Sequence, residues 1–252
     1  MMKAHFSVQH TAYEADLSQP LDISLAFLPD YEGVNCFWAP AAEYTPVRMG
    51  DFTGSVEAGA PVNFFNVKIN PHGNGTHTEC VGHISPRHER LGDCMKESVF
   101  AAQLISVYPE KTGEGDRVVF RRHIEDALFP GTVKALVVRT MPNTEQKCHT
   151  EYSGTNPPYL SAEAMQYIVD CGIEHLLVDL PSVDREEDGG ALAAHKIFWA
   201  FPGGSRRHCT ITELIYVPDR IKDGYYLLNI QTAPLALDAC PSRPVLYAAQ
   251  AV

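Results

Sequence analysis

A chain of 252 residues with 45 % apolar side chains can build a substantial core, and no linker-like tract or internal repeat divides it, so one compact domain over residues 1–252 is expected. The formal net charge of −11, with no basic cluster beyond the pairs Arg121 and Arg122 or Arg206 and Arg207, argues against a nucleic-acid partner. No apolar run approaches the roughly 18–20 residues that span a bilayer. The opening MMKAHFSVQH lacks a signal-peptide core and the seven cysteines include no CxxC pair, so the expectation is a cytoplasmic protein with reduced thiols and no membrane partner.

Short β-branched and apolar runs predict strands at 63–69, 103–108, 134–139, 175–180, 210–217, 225–230 and 245–248. After the first of these, residues 70–84 read NPHGNGTHTECVGHI, which crowds His72, His77, Glu79 and His83 into fifteen positions of a chain with eleven histidines. Imidazole and carboxylate are the donors that zinc, manganese or iron accept, and Gly73 and Gly75 permit the turns that would make them converge. A polar Gly-rich surface loop is the bland alternative. If the run after Gly75 is extended, His77, Glu79 and His83 share one face. His72 falls at the wrong parity and joins them only if the Gly-Asn-Gly insert bulges. The HTE triplet at 77–79 matches the first half of a nucleobase-deaminase signature, but no PCxxC follows, which rules that reading out.

Further along, 123–128 is weakly helical and 141–159 (MPNTEQKCHTEYSGTNPPY) is a long aperiodic segment that reads as a lid, a binding loop or disorder. A helix is expected from the N-cap Ser161 through Ala164, Met165, Ile168 and Val169 to Gly172, followed at once by the strand HLLVDL. Helices alternating with strands indicate a mixed α/β or α+β chain. VDLPSVD places Asp179 and Asp184 at the end of a strand, where ligand groups or loop caps occur. His195 lies in the short apolar stretch ALAAHKIFWAF. Glu213 lies inside CTITELIYV, where a carboxylate is costly to bury unless paired or on a metal.

Taken together and in this order, these residues resemble the cyclase family of metal-dependent hydrolases, which includes bacterial kynurenine formamidases and isatin hydrolases. The family motif HxGTHxDxPxH is matched at Gly75, Thr76, His77 and His83, with Glu79 at the Asp position, Val81 at the Pro position and Gly73 at the first His position, one residue after His72. DLSQPL at 16–21, VVRT at 137–140, VDLPSVD at 178–184, AAHKIFWA at 193–200, ITELIYV at 211–217 and CPSRPVLYA at 240–248 resemble other marks of the family.

The resemblance implies a swivelling β/β/α fold, a homodimer or higher homo-oligomer, and a centre of one or two divalent ions, zinc or manganese. By position, His77, Glu79, His195 and Glu213 match metal ligands and His83 the catalytic histidine, with His72 as the substitute first ligand. Thr76 or Asp184 would orient these groups, and Thr76 and Trp38 are expected to face the substrate. Phe37, Phe64, Phe65 and Trp199 are further candidates for an aromatic wall, with core packing as the alternative. Cys80 is a soft ligand, a nucleophile or, as its sequence context favours, an inert thiol. The expected activity is hydrolysis of a carbon–nitrogen bond in a small amide or lactam through metal-activated water, with His83 as acid and base. A binding protein that has lost catalysis and a metal-dependent lyase or dehydratase are the alternatives.

Overall fold

The computed structural model describes residues 2–252. Four parallel strands form its spine, in the spatial order Val99–Val107, Ala135–Thr140, His175–Val178 and Thr210–Glu213. Gly224–Thr232 adds antiparallel to Val99–Val107, and Ala239–Ala251 adds to Gly224–Thr232. The short strand His77–Glu79 then pairs with both Thr210–Glu213 and Ala239–Ala251, closing a ring of seven strands. This is the mixed α/β architecture the sequence pattern indicates, with a barrel-like sheet at its centre.

The strand sequences explain the layering. ALVVRT and HLLV are buried at every position, the pattern of parallel strands covered on both faces. Leu136, Val138, Leu176 and Val178 pack on one side with Ala164, Met165 and Ile168 of the helix Ala162–Asp170. Val137, Leu177, Leu104, Leu228 and Leu246 fill the other side. The helix begins where expected, with the Ser161 hydroxyl accepting from Ala164 N–H, and it stops before Gly172, whose φ of +82° needs a glycine.

Several expectations are revised. The strand at 63–69 exists as Phe65–Lys68, but it pairs only with Glu43–Pro46 in an exposed ribbon outside the ring. The strand at 210–217 stops at Glu213, because Leu214 adopts a left-handed φ of +56° that an extended ladder does not accommodate. Glu213 therefore ends its strand rather than sitting mid-strand. An N-terminal hairpin, Lys3–Val8 with Thr11–Asp16, joins Ala239–Ala251 without an expected counterpart. The 141–159 segment holds a short 3₁₀ turn, Glu145–His149. Among the described residues no helix is long and apolar enough to cross a membrane.

Candidate metal centre

Strand pairing sets the site. In the antiparallel ladder His77 lies directly opposite Glu213, and Thr78 opposite Thr212. Opposed residues project to one side, so His77 and Glu213 share the site face while the two threonine hydroxyls meet at 2.8 Å on the other. His77 Nε2 is 3.4 Å from Glu213 Oε2, and Glu213 Oε1 accepts Val183 N–H at 3.0 Å. His77 Nδ1 lies 3.1 Å from Gly75 O, which directs Nε2 inward.

His195 enters from the helix Ala193–Phe198. Its Nε2 is 3.1 Å from Glu79 Oε1 and 3.8 Å from Glu213 Oε1, and its Nδ1 is 2.6 Å from Asp184 Oδ2. Asp184 also accepts the Ala194 and His195 backbone N–H groups, holding both the ring and the start of its helix. Trp199, fully buried, lies beneath the ring at a centroid distance of 5.5 Å.

His72 arrives by a different route from the one parity allowed. Residues Pro71–Asn74 form a helical turn capped by the Asn70 side chain, and no bulge is involved. A Cβ on Gly73 would lie 2.3 Å from that of Ala39, so only glycine lets this turn pack against residues 36–39. The His72 ring comes within 4.9 Å of His77 and 4.4 Å of His83, with Nδ1 3.2 Å from Glu79 Oε2. His83 likewise sits at the end of a 3₁₀ turn, Val81–His83, because the extended run ends at Glu79. The turn still places His83 Nδ1 3.8 Å from Glu79 Oε2.

Asp238 belongs to the same cluster, and the sequence reading missed it. Its Oδ2 is 3.4 Å from His72 Nε2 and 3.7 Å from His83 Nδ1. Its backbone is fixed because Cys80 N–H donates to Asp238 O and Ala239 pairs with Glu79. The only signal in the chain is that Asp238 is a lone acid in the apolar run APLALDAC; unlike Glu213 it stays one-third exposed, so the cost of burying a carboxylate does not single it out.

The electrostatics of the cluster are those of a charged site. Burial opposes ionisation of Glu79, but His83, His195 and His72 hold its carboxyl well below the usual range. Burial also opposes protonation of His72 and His195. The carboxylates of Asp238 and Glu79 around the first, and of Asp184 and Glu79 around the second, outweigh it and raise both to about 10. Hydrogen bonding from His72 and His83 depresses Asp238.

The donor set fits a divalent cation. Imidazole nitrogens and carboxylate oxygens converge, and His77 Nε2 and Glu79 Oε2 are buried without a hydrogen-bond partner. Two polar atoms left so are expensive, and both face the same space. Three overlapping groups have donor atoms all within 4.8 Å of one another: His72, His77 and Glu79; His72, His83 and Asp238; Glu79, His83 and His195.

Other candidates stand apart. Thr76 is fully buried; its hydroxyl accepts Leu25 N–H and donates to Leu214 O, so it ties chain segments together and does not face an open pocket. Asp179 accepts from the Thr140 N–H and hydroxyl and from Lys147, locking a strand end to the 141–159 segment. Trp38 is 66 % exposed on the turn at residues 36–39, next to Gly154 of that segment. Phe64 and Phe65 lie by the outlying ribbon, away from the ring strands. The Cys80 thiol is buried, and its contact with Cys94 together with that burial pushes it far up, as an inert thiol requires.

A family model described as "Putative cyclase" matches residues 15–185, more than half of the sequence, and the chain belongs to this Cyclase family. No curated protein matches it. Among solved structures, it is similar to an isatin hydrolase bound to the product analogue thioisatinate, with a TM-score of 0.66 at 15 % identity, covering 92 % of this chain and 93 % of the other. A potential metal-dependent hydrolase with cyclase activity gives 0.64 at 16 % over 91 % and 97 %. Isatin hydrolase A from Labrenzia aggregata, bound to benzyl benzoate, gives 0.62 at 13 % over 92 % and 94 %. At these identities the likeness establishes a shared fold.

Proposed function

We propose that this chain is a metal-dependent hydrolase that cleaves the carbon–nitrogen bond of a small amide or lactam. His77, Glu79, His195 and Glu213 would hold a divalent ion, zinc or manganese by the nature of the donors. The observation that carries this reading is His77 Nε2, buried without a hydrogen-bond partner 3.4 Å from Glu213 Oε2, in a cluster where Glu79 Oε1 lies 3.1 Å from His195 Nε2. Membership of the family and the names of the similar structures support it. The same proposal includes a small-molecule substrate, a homodimer or higher homo-oligomer, and a cytoplasmic location.

When bound, such an ion supplies a hydroxide near neutral pH and polarises the carbonyl under attack. The residues do the rest. Asp184 fixes the His195 ring through Nδ1 so that Nε2 points at the centre. His83, partly exposed at the rim, is placed to take a proton from water and pass it to the leaving nitrogen, a task suited to an imidazole. His72 lies beside it, turned towards Glu79 and Asp238. The alternative of a non-catalytic binding protein drew on the out-of-register first histidine. Its motivation weakens, because His77, Glu79, His195 and Glu213 converge without a ligand from the first-histidine position.

The test is elemental analysis of protein purified without chelator, together with hydrolysis of N-formylkynurenine, isatin and a panel of small amides before and after chelation. Bound ion and chelator-sensitive turnover are expected. Absence of both would overturn the reading, while product identification separates hydrolysis from a lyase or dehydratase reaction.

A further inference from the structure

Two sets of donors share Glu79. The inner set, His77, His195 and Glu213 with Glu79, is buried. The outer set, His72, His83 and Asp238, lies at the rim with side chains 26 %, 31 % and 33 % exposed. Donors held at about 2.1 Å in a tetrahedral arrangement stand roughly 3.4 Å apart. The outer separations, 3.4 Å from His72 Nε2 to Asp238 Oδ2 and 3.7 Å from His83 Nδ1 to the same oxygen, match that spacing. A second observation points to the same place. Glu79 Oε2, fully buried and without a hydrogen-bond partner, is aimed between the outer rings, 3.2 Å from His72 Nδ1 and 3.8 Å from His83 Nδ1.

We infer that His72, His83 and Asp238 form a second, outer position for a divalent cation, and that an ion there arrests the hydrolysis proposed above by engaging His83. The inference rests on that proposed function for its inhibitory half. The chemical reason is simple. A neutral imidazole has one basic lone pair; when Nδ1 gives it to an ion, Nε2 keeps its hydrogen and has nothing left with which to accept a proton. The outer ion has fewer buried carboxylates around it than the inner one and stands in contact with solvent, so it binds more weakly. The protein is therefore activated by a first ion and inhibited by a second. Asp238, one residue before the strand Ala239–Ala251, makes the second position possible.

The test strips the full-length protein with chelator and titrates it with Mn²⁺ and, separately, Zn²⁺. Bound ions are counted by equilibrium dialysis with elemental analysis, and Mn²⁺ also by electron paramagnetic resonance. Two binding steps are expected, with turnover on any substrate found above rising through the first and falling through the second. Asp238→Asn should weaken the second step tenfold or more and leave the first within about threefold. His83→Gln, at an exposed rim position, should do the same in the binding measurement and guards against a folding defect in the first variant. A wild-type protein that binds one ion only, or an Asp238→Asn protein that keeps both steps, overturns the inference and leaves the proposed function standing. Binding of no ion at all overturns both.

Discussion

His195 Nδ1 lies 2.6 Å from Asp184 Oδ2 while the opposite ring nitrogen faces Glu79 at 3.1 Å, so one imidazole is clamped between a carboxylate that orients it and a carboxylate beside which it would bind an ion. Removing the orienting charge should cost metal affinity without removing a ligand. Asp184→Asn is expected to lower affinity by about 10–100-fold, the usual consequence of losing a carboxylate behind a ligating histidine. Asparagine can still accept a helix N–H, so the loss of fold stability should stay near 1 kcal/mol or below. Competition against a calibrated chelator measures the first and thermal melting of the stripped protein the second. Unchanged affinity would show that Asp184 only caps the helix.

Much of this site was legible in the chain, and the reasons differ residue by residue. His77 and Glu79 were readable because a strand has period two. Glu213 was readable because a carboxylate among Ile211, Leu214 and Ile215 demands an explanation. His83 was placed on the right face by an argument that fails in detail, since the strand ends at Glu79 and a 3₁₀ turn carries the ring back. His72 depended on a helical turn of four residues, too short to leave a periodic signal. Asp238 and the closure of the ring rest on pairing between segments about 160 residues apart, which local pattern does not encode. Thr76 was read by adjacency to the motif, yet its hydroxyl is spent on the backbone of Leu25 and Leu214.

The protonation pattern predicts opposite pH trends with and without metal. Despite burial, which disfavours the charged ring, their carboxylate neighbours raise His72 and His195 from 6.5 to about 10. A histidine raised in the folded state contributes stability that is fully present below pH 6.5 and is lost as pH rises towards 10. Glu79, held low by His83, His195 and His72 against the effect of burial, contributes above its ordinary 4.5 and loses that contribution as pH falls. Chelated protein should therefore lose thermal stability from pH 6.5 upward. An ion must displace the histidine protons, so the rise in melting temperature on adding Mn²⁺ should grow with pH. Melting curves from pH 5.5 to 9, with chelator and with Mn²⁺, provide the check. A metal-induced shift that is the same or smaller at pH 9 would refute the site as drawn.

The outlying ribbon predicts self-association. Met49, Val62, Phe64, Phe65 and Val67 all lie on or near it and are exposed, Val67 to 62 %. A two-stranded ribbon with so much apolar surface in water is only marginally stable alone and gains by being covered. A homodimer that uses this arm is expected in sedimentation or light-scattering measurements. Replacing Phe64 and Val67 together by serine should weaken association at least tenfold while leaving the ring fold intact by circular dichroism. A protein that is monomeric at high micromolar concentration, before any substitution, would remove this expectation.

Glu79 offers the sharpest test of the inner centre, because the family motif carries aspartate at this position. The longer side chain reaches both His195, at 3.1 Å from Oε1, and His72, at 3.2 Å from Oε2, and so spans the inner and rim groups. Shortening it in Glu79→Asp withdraws the carboxylate by about 1.5 Å, one carbon–carbon bond. Neither contact survives that retreat unless the backbone follows, and the backbone is held on both sides by Ile211 and Ala239 in the closed ring. Restoring the family residue should therefore impair this chain. Ion affinity is expected to fall tenfold or more, with turnover falling in proportion at limiting metal and recovering as added metal refills the inner position, below the concentrations that fill the rim. Isothermal titration with Mn²⁺ and kinetics across metal concentration would distinguish this from a folding defect, which excess metal does not repair. A Glu79→Asp protein with undiminished affinity would mean that the glutamate's reach is incidental and that the inner site is assembled without it.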